Sequence, residues 1–296
     1  MFKKITTMAA ATVALVLVVS GVALGAGPQY GDATVHARVP TPPGSAVDST
    51  GRIYVLNTQL GMVRRTLDGA QQPYSEPFPD LPSCLLGLPG TPCSPTPLDM
   101  PPLPNDIAFD DAGNAYVSDS MQATIWLVPA GGGRPQIWFQ DQRLASESIG
   151  VNGLRLDPTR SHVYFTVTTD LRDQGWVYRL PVANPIAGAL EVVHHYPLGE
   201  GPDGLAFGEG DKLYVALAVP DRSGISVLRV SDGSEKIRLS NPLDPYDSPA
   251  GIAFDGEGSL LVTNHAFASD ELPEQFTVLE VWVEDGGSPL ATPLLP

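Results

Sequence analysis

Asn105, Asn152 and Asp203 are the residues whose type and spacing best suit chemistry. They open three short apolar runs, PNDIAF, VNGLRL and PDGLAF, with 47 and 51 residues between successive members. Side-chain amide and carboxylate oxygens brought to one axis are what a hard cation such as Ca²⁺ requires. A cation so held can polarise a carbonyl group toward attack by water. Taken singly, Asn-Gly and Asp-Gly are favoured turn pairs, and it is repetition in one register that makes a shared polar site of them.

A second set of residues ends the strand that follows each of these runs. It contains Asn57, Asp119 and the pair Asn264-His265. His265, in VTNHAF, suits orienting a substrate or relaying a proton, and Asp119 suits activating a water. Asn57 and Asn264 offer hydrogen bonds to a substrate at the same place. For His265 and Asp119 a purely local role, bonding within their own loops, is the competing reading. His36, His162, His194 and His195 receive no function. The sequence holds no GxSxG elbow, HExxH pair, glycine-rich phosphate loop or CxxC pair, which disfavours serine-hydrolase and nucleotide-dependent chemistry.

These residues need a scaffold that repeats. PPGSAVDSTGRIYVLNT, PNDIAFDDAGNAYVSDS, VNGLRLDPTRSHVYFTVT, PDGLAFGEGDKLYVALA and PAGIAFDGEGSLLVTNHA are five copies of one pattern. Aligned, the same slot holds Pro43, Asn105, Asn152, Asp203 and Ala250, at steps of 62, 47, 51 and 47 residues. Each copy reads as a hairpin, with Asp48, Asp110, Asp157 and Asp255 in its turn, followed by a third and often a fourth alternating strand. Four strands per unit, repeated radially, predict an all-β fold, a β-propeller of four-stranded blades. Five blades are visible, and Asp32 to Val39 offers a closing strand for the last. The slots then ring one mouth of the central channel, and the hairpin aspartates face the other.

PNDIAFDDAGNAYVSD, VNG and PDG, in this order and spacing, resemble the senescence marker protein/gluconolactonase/luciferin-regenerating family, with diisopropyl fluorophosphatase and the paraoxonases as more distant relatives. The likeness runs from about residue 40 to the C-terminus. It implies six blades, a central divalent metal, most often calcium, and hydrolysis of lactones or related esters. By position it makes Asn105, Asn152 and Asp203 metal ligands and His265 a pocket histidine. One departure stands out. That family draws a further ligand from a glutamate in its first blade, whereas this chain has no glutamate between Gly27 and Ser75 and Pro43 in the slot. The resulting expectation is an exported metal-dependent hydrolase; the alternative is a non-catalytic propeller that binds a small molecule or a partner protein at the same mouth.

The rest of the chain is consistent with export. Residues 1–26 read as a signal peptide, with Lys3 and Lys4 before an apolar run from Met8 to Leu24 and small residues after it; an uncleaved anchor is the other reading. Residues 27–296 form the propeller. No further apolar span follows, so no other membrane contact is expected, and the destination is secreted or periplasmic. A net charge of −16 repels phosphate backbones and argues against nucleic acid. Residues 73–104 contain 11 prolines and read as an elaborated loop on the propeller. That loop carries the two cysteines, Cys84 and Cys93, which in an exported chain predict a disulfide.

Overall fold

The computed structural model describes residues 30–31, 33–38, 45–50, 52–65, 70–88, 90–240, 245–265 and 276–295. The leader expected over residues 1–26 and the slot residue Pro43 lie outside them. Among the described residues, short apolar runs punctuated by Asp- and Gly-rich turns extend as strands, and these assemble into five antiparallel sheets of four. Strand β1 (Ala33–Arg38) comes first in the chain but belongs to the last sheet. Blade 1 is β2 (Ser45–Val47), β3 (Ile53–Asn57), β4 (Gly61–Arg65) and β5 (Gln71–Pro73). Blade 2 is β6 (Pro104–Phe109), β7 (Ala115–Asp119), β8 (Thr124–Val128) and β9 (Gln136–Gln140).

Blade 3 follows as β10 (Val151–Leu156), β11 (His162–Val167), β12 (Gly175–Pro181) and β13 (Glu191–Tyr196). Blade 4 is β14 (Pro202–Phe207), β15 (Lys212–Leu217), β16 (Gly224–Arg229) and β17 (Glu235–Leu239). Blade 5 takes β18 (Pro249–Phe254), β19 (Ser259–Asn264) and β20 (Thr277–Trp282) from the C-terminal part of the chain. Its outer strand is β1, antiparallel to β20 with Ala33 opposite Val281. The closing strand anticipated around Asp32–Val39 is therefore present. The sixth blade implied by the family resemblance is not formed by the described residues. Once β1 has completed blade 5, no described strand is left to begin another sheet.

Both faces of blades 2, 3 and 4 are buried, because each of these is sandwiched between neighbours. Neighbouring residues on one strand accordingly serve opposite cores. Ile107 and Val117 pack toward blade 1 with Tyr54 and Phe109, whereas Ala108 and Tyr116 pack toward blade 3 with Leu154 and Phe165. Further clusters join blades 3 and 4 through Tyr196 and Leu205, and blades 4 and 5 through Tyr214 and Ile252.

The hairpin aspartates are turn residues, as their spacing suggests. Asp110 accepts hydrogen bonds from the backbone N–H and side chain of Asn114, Asp157 from the N–H groups of Ser161 and His162, and Asp255 from those of Glu257 and Ser259. Blade 4 has Gly208 at this place. There the carboxylate is supplied by Asp285, beyond β20, which accepts from Glu209 N–H, Lys212 and the Tyr214 hydroxyl. From Asp285 the C-terminal segment crosses the hairpin face. Ser288 N–H bonds Phe207 C=O, Arg160 bonds Pro289 C=O, Ser49 N–H bonds Pro293 C=O, and Arg52 bonds Leu295 C=O. The channel mouth on that side is spanned by the tail, and the slots lie at the other.

Candidate active site

Four inner strands, those of blades 2 to 5, open with an irregularity. Pairing with the second strand skips between Pro104 and Ile107, Val151 and Leu154, Pro202 and Leu205, and Pro249 and Ile252. The slot residue and its successor thus leave the ladder, as in a bulge, which frees them to line the mouth. Hydroxyls from the second strand take up part of the lost pairing. Ser118 Oγ accepts from Asp106 N–H and Thr263 Oγ1 from Gly251 N–H, both at 2.9 Å.

The slots converge because the glycines after them allow inner strands to touch. A Cβ on Gly153 would stand 2.4 Å from the Asp203 carbonyl oxygen, and one on Gly204 would stand 2.4 Å from that of Ala250. The slot amides are fixed by relays between blades. Asn105 Nδ2 donates to Ser120 Oγ (3.0 Å), whose hydroxyl donates to Val151 C=O (2.8 Å). Asn152 Nδ2 donates to Thr168 Oγ1 (2.9 Å), whose hydroxyl donates to Pro202 C=O (2.8 Å). With its nitrogen committed, Asn152 keeps a buried Oδ1 that has no hydrogen-bond partner. An orphaned buried acceptor is costly in a folded protein and points to a ligand.

Asp203 has no such relay, since Ala218 occupies the place of Ser120 and Thr168. Its carboxyl is pushed up to about 7, first by burial and then by the negative charge of Asp106, while the Asn152 amide and Gly204 N–H partly offset this. Asp106 was not among the residues expected from the sequence. It stands where the described copies have Gly153, Gly204 and Gly251, and brings a second carboxylate to a mouth expected to hold one. One Asp106 oxygen accepts from Ile107 N–H at 2.8 Å. The other accepts from Leu154 N–H (2.9 Å) and the Arg155 guanidinium (2.8 Å). The only available signal was a charged residue breaking the glycine series.

Of the other expected residues, His265 alone keeps a place at this mouth. It is half-buried, occupies the register of Ser120 and Thr168 in blade 5, and its N–H donates to Ser248 C=O. Asp119 is corrected to a structural role. Its fully buried carboxylate accepts from the N–H groups of Leu103, Met121 and Gln122, the Gln122 side chain and the Trp126 indole. Burial raises its pKa and these bonds oppose the rise. A carboxylate so saturated is an anchor for its loops. Asn57 is likewise corrected. Its exposed side chain caps the β3–β4 turn by accepting from Gln59 and Leu60 N–H. Asn264 is buried and holds the Pro245–Asp247 segment and Thr277, leaving it no group for a substrate.

The Pro-rich segment rises on the same side as the slots, because it links the outer strand of blade 1 to the start of β6. Cys84 and Cys93 are bonded, with Cα atoms 4.9 Å apart. Gln122 pins the segment by accepting from Leu81 N–H and donating to Pro79 C=O.

Among the described residues no group of three or more His, Cys, Asp or Glu gathers as a metal centre. The oxygen set at the slots is of another kind, two amides and a carboxylate with a second carboxylate beside them. The unpartnered Asn152 Oδ1 and the mutual repulsion of Asp106 and Asp203 are both features that a hard cation would relieve. The donor set therefore fits the divalent ion that the resemblance implies.

No protein-family model matches the chain, and no curated protein matches it in sequence. Solved structures do share its fold. A calcium-binding protein, regucalcin from Agrobacterium tumefaciens, superposes with a TM-score of 0.58 at 19% identity, covering 87% of this chain and 80% of its own. A gluconolactonase from Xanthomonas campestris gives a TM-score of 0.55 at 14% identity, with 84% and 73% covered. A chain of the nidogen–laminin complex gives 0.55 at 15% identity, with 84% and 86% covered. An enzyme, a calcium-binding protein and a chain of a protein complex thus share one scaffold with this chain, so the likeness speaks to fold and the site must speak for function.

Proposed function

We propose that this chain is an exported hydrolase of a lactone or related ester, acting with a divalent cation, calcium foremost, at the slot mouth. The observation that carries the reading is the convergence of Asn105, Asn152 and Asp203, with the Asn152 Oδ1 buried and unpartnered. The fold shared with a gluconolactonase and with calcium-binding regucalcin supports it. Export is supported by the leader-like residues 1–26 and by the Cys84–Cys93 bond. Among the described residues no helix is long and apolar enough to cross a membrane.

Asn105 Oδ1, Asn152 Oδ1 and the Asp203 carboxylate would hold the ion, with Asp106 adding charge from beside them. Bound there, the ion supplies a Lewis acid that polarises the ester carbonyl. The protein's own part is orientation and proton transfer. Ser120 and Thr168 lock the amides so that their carbonyl oxygens stay turned from the relays. His265, at the mouth, takes the proton of the attacking water and returns it to the leaving alkoxide.

The test is a calcium titration of thermal stability and of hydrolysis over a panel of lactones and aryl esters. Wild type is expected to gain stability with calcium and to hydrolyse at least one substrate, and Asp203→Asn to lose both responses. Unchanged calcium stabilisation in Asp203→Asn would overturn the metal assignment. Calcium binding without hydrolysis would favour the second reading, a propeller that only binds a small molecule there. That reading draws on Ala250 in one slot and on the saturation of Asp119, which leaves His265 as the lone proton acceptor of the original pair.

A further inference from the structure

The disulfide-closed loop presents an apolar tip that nothing in the proposed hydrolysis uses. Leu85, Leu86 and Leu88 are 78%, 71% and 74% exposed and lie within four residues of one another. No charged residue occurs between Leu81 and Leu98. Beneath the tip the loop is held firmly. Ser83, Ser94 and Thr96 are buried: Ser83 Oγ donates to Thr96 C=O, Ser94 Oγ pairs with Thr96 Oγ1, and Ser94 Oγ also donates to Gln122 C=O. Cys84–Cys93 closes the loop above this base.

Three features say what the tip meets. It is wholly aliphatic, without the Trp, Tyr or Arg anchors that dominate protein interfaces. Its backbone N–H groups from Cys84 to Gly87 are satisfied from within. Cys84 N–H bonds Ser94 C=O, Leu86 and Gly87 N–H bond Ser83 C=O, Leu85 N–H bonds Ser83 Oγ, and Thr91 bonds Leu88 C=O through both N–H and hydroxyl. Such a tip brings no unpaired N–H from Cys84 to Gly87 into an acyl-chain phase, which offers donors no acceptor. Finally, the tip is neutral on a chain of net charge −16, so anionic headgroups would repel the body that carries it.

We propose that the Leu85–Leu88 tip is a docking wedge that enters the apolar layer of a zwitterionic lipid surface, setting the slot side of the propeller toward that surface. The docking is independent of any hydrolysis at the slots. It departs from the sequence-based expectation of no membrane contact beyond the leader, because only the folded loop shows that its leucines are displayed instead of buried.

The test uses the exported full-length protein and vesicles of phosphatidylcholine alone or mixed with phosphatidylglycerol. Leu88→Trp should show a blue-shifted emission on adding phosphatidylcholine vesicles and quenching by lipids brominated in the acyl chain, relative to the native tryptophan background. Val192→Trp, on outer strand β13, should show neither. The triple variant Leu85→Ser, Leu86→Ser, Leu88→Ser should melt as wild type does and bind vesicles at least tenfold more weakly, the three leucines together being worth more than one such factor. Binding should fall as phosphatidylglycerol is added. Equal binding by wild type and triple variant, quenching of both tryptophans alike, or binding that rises with anionic lipid would each overturn the proposal. So would a chain that ignores vesicles but forms a dimer that the serine variant abolishes, which would assign the tip to a second copy.

Discussion

At the scale of single residues, Asp203 concentrates the electrostatic strain of the mouth. Its folded pKa, about 7, lies above the unfolded value near 3.8, so the folded state holds a proton that the unfolded chain has released between those values. Stability should therefore fall as pH rises from about 4 to about 7, by this group's contribution. In metal-free protein, Asp203→Asn should remove that fall and leave the variant more stable than wild type at pH 8 but not at pH 4. Thermal unfolding in chelator at the two pH values checks this; a variant less stable at both would contradict it. Arg155 bears on the same balance, since its guanidinium neutralises Asp106 at 2.8 Å. Arg155→Met should remove a competing cation and shift the calcium midpoint of thermal stabilisation several-fold lower, in line with roughly 1 kcal/mol or more for a nearby partly buried charge. A higher midpoint would show that Arg155 orders the site.

At the scale of elements, the bulge at the inner-strand entry of blades 2 to 5 is what turns a sheet edge into a site. Backbone groups released there are recovered by hydroxyls of the second strand, and the slot amides by the Ser120 and Thr168 relays. Thr168→Val keeps the shape but removes an acceptor for Asn152 Nδ2 and a donor to Pro202 C=O. It should cost about 1–3 kcal/mol in urea unfolding, the range for buried polar groups left unpaired. The calcium response should weaken with it, because Asn152 is then free to turn. A loss of stability with an unaltered calcium midpoint would show that the relay holds the blades together without orienting the amide.

At the scale of the molecule, the two mouths differ because of the C-terminal tail. Hairpin aspartates cap blades 1, 2, 3 and 5 from within, and Asp285 reaches back to cap blade 4. A Cβ at Gly208 would meet Asp285 Oδ2 at 2.6 Å, so the glycine is what admits the tail. Asp285→Ala would leave the Tyr214 hydroxyl and the Glu209 and Gly287 N–H groups without their acceptor. A loss of about 3 kcal/mol is expected, as for breaking a buried charged network. The Asp285 carboxyl is held below its usual range by Lys212 and two N–H groups, which outweigh its burial. The stability it contributes is present above the unfolded carboxylate value and lost on acidification. The difference between wild type and Asp285→Ala, followed by urea unfolding, should therefore shrink as pH falls toward 3. A constant difference would show that packing, not charge, holds the tail.

The sequence by itself determined the repeat, and with it the blade pattern, the closing strand, the hairpin aspartates, the disulfide loop and the three slots. These are local or periodic properties. Alternation and turn chemistry act within a few residues, and repetition multiplies a weak signal into a clear one. Tertiary structure decided what depends on which atoms meet across blades. Asp119 and Asn264 read as site residues until five and three side-chain hydrogen bonds, respectively, were seen to use them as anchors. Asp106 drew no assignment from the sequence, and only the structure shows blade 3 bringing Arg155 and Leu154 N–H to it. Blade number was likewise a closure question, answered only when β1 was found paired with β20. Hydrogen-bond saturation and burial depend on contacts between residues far apart in the chain, and no pattern within one repeat encodes them.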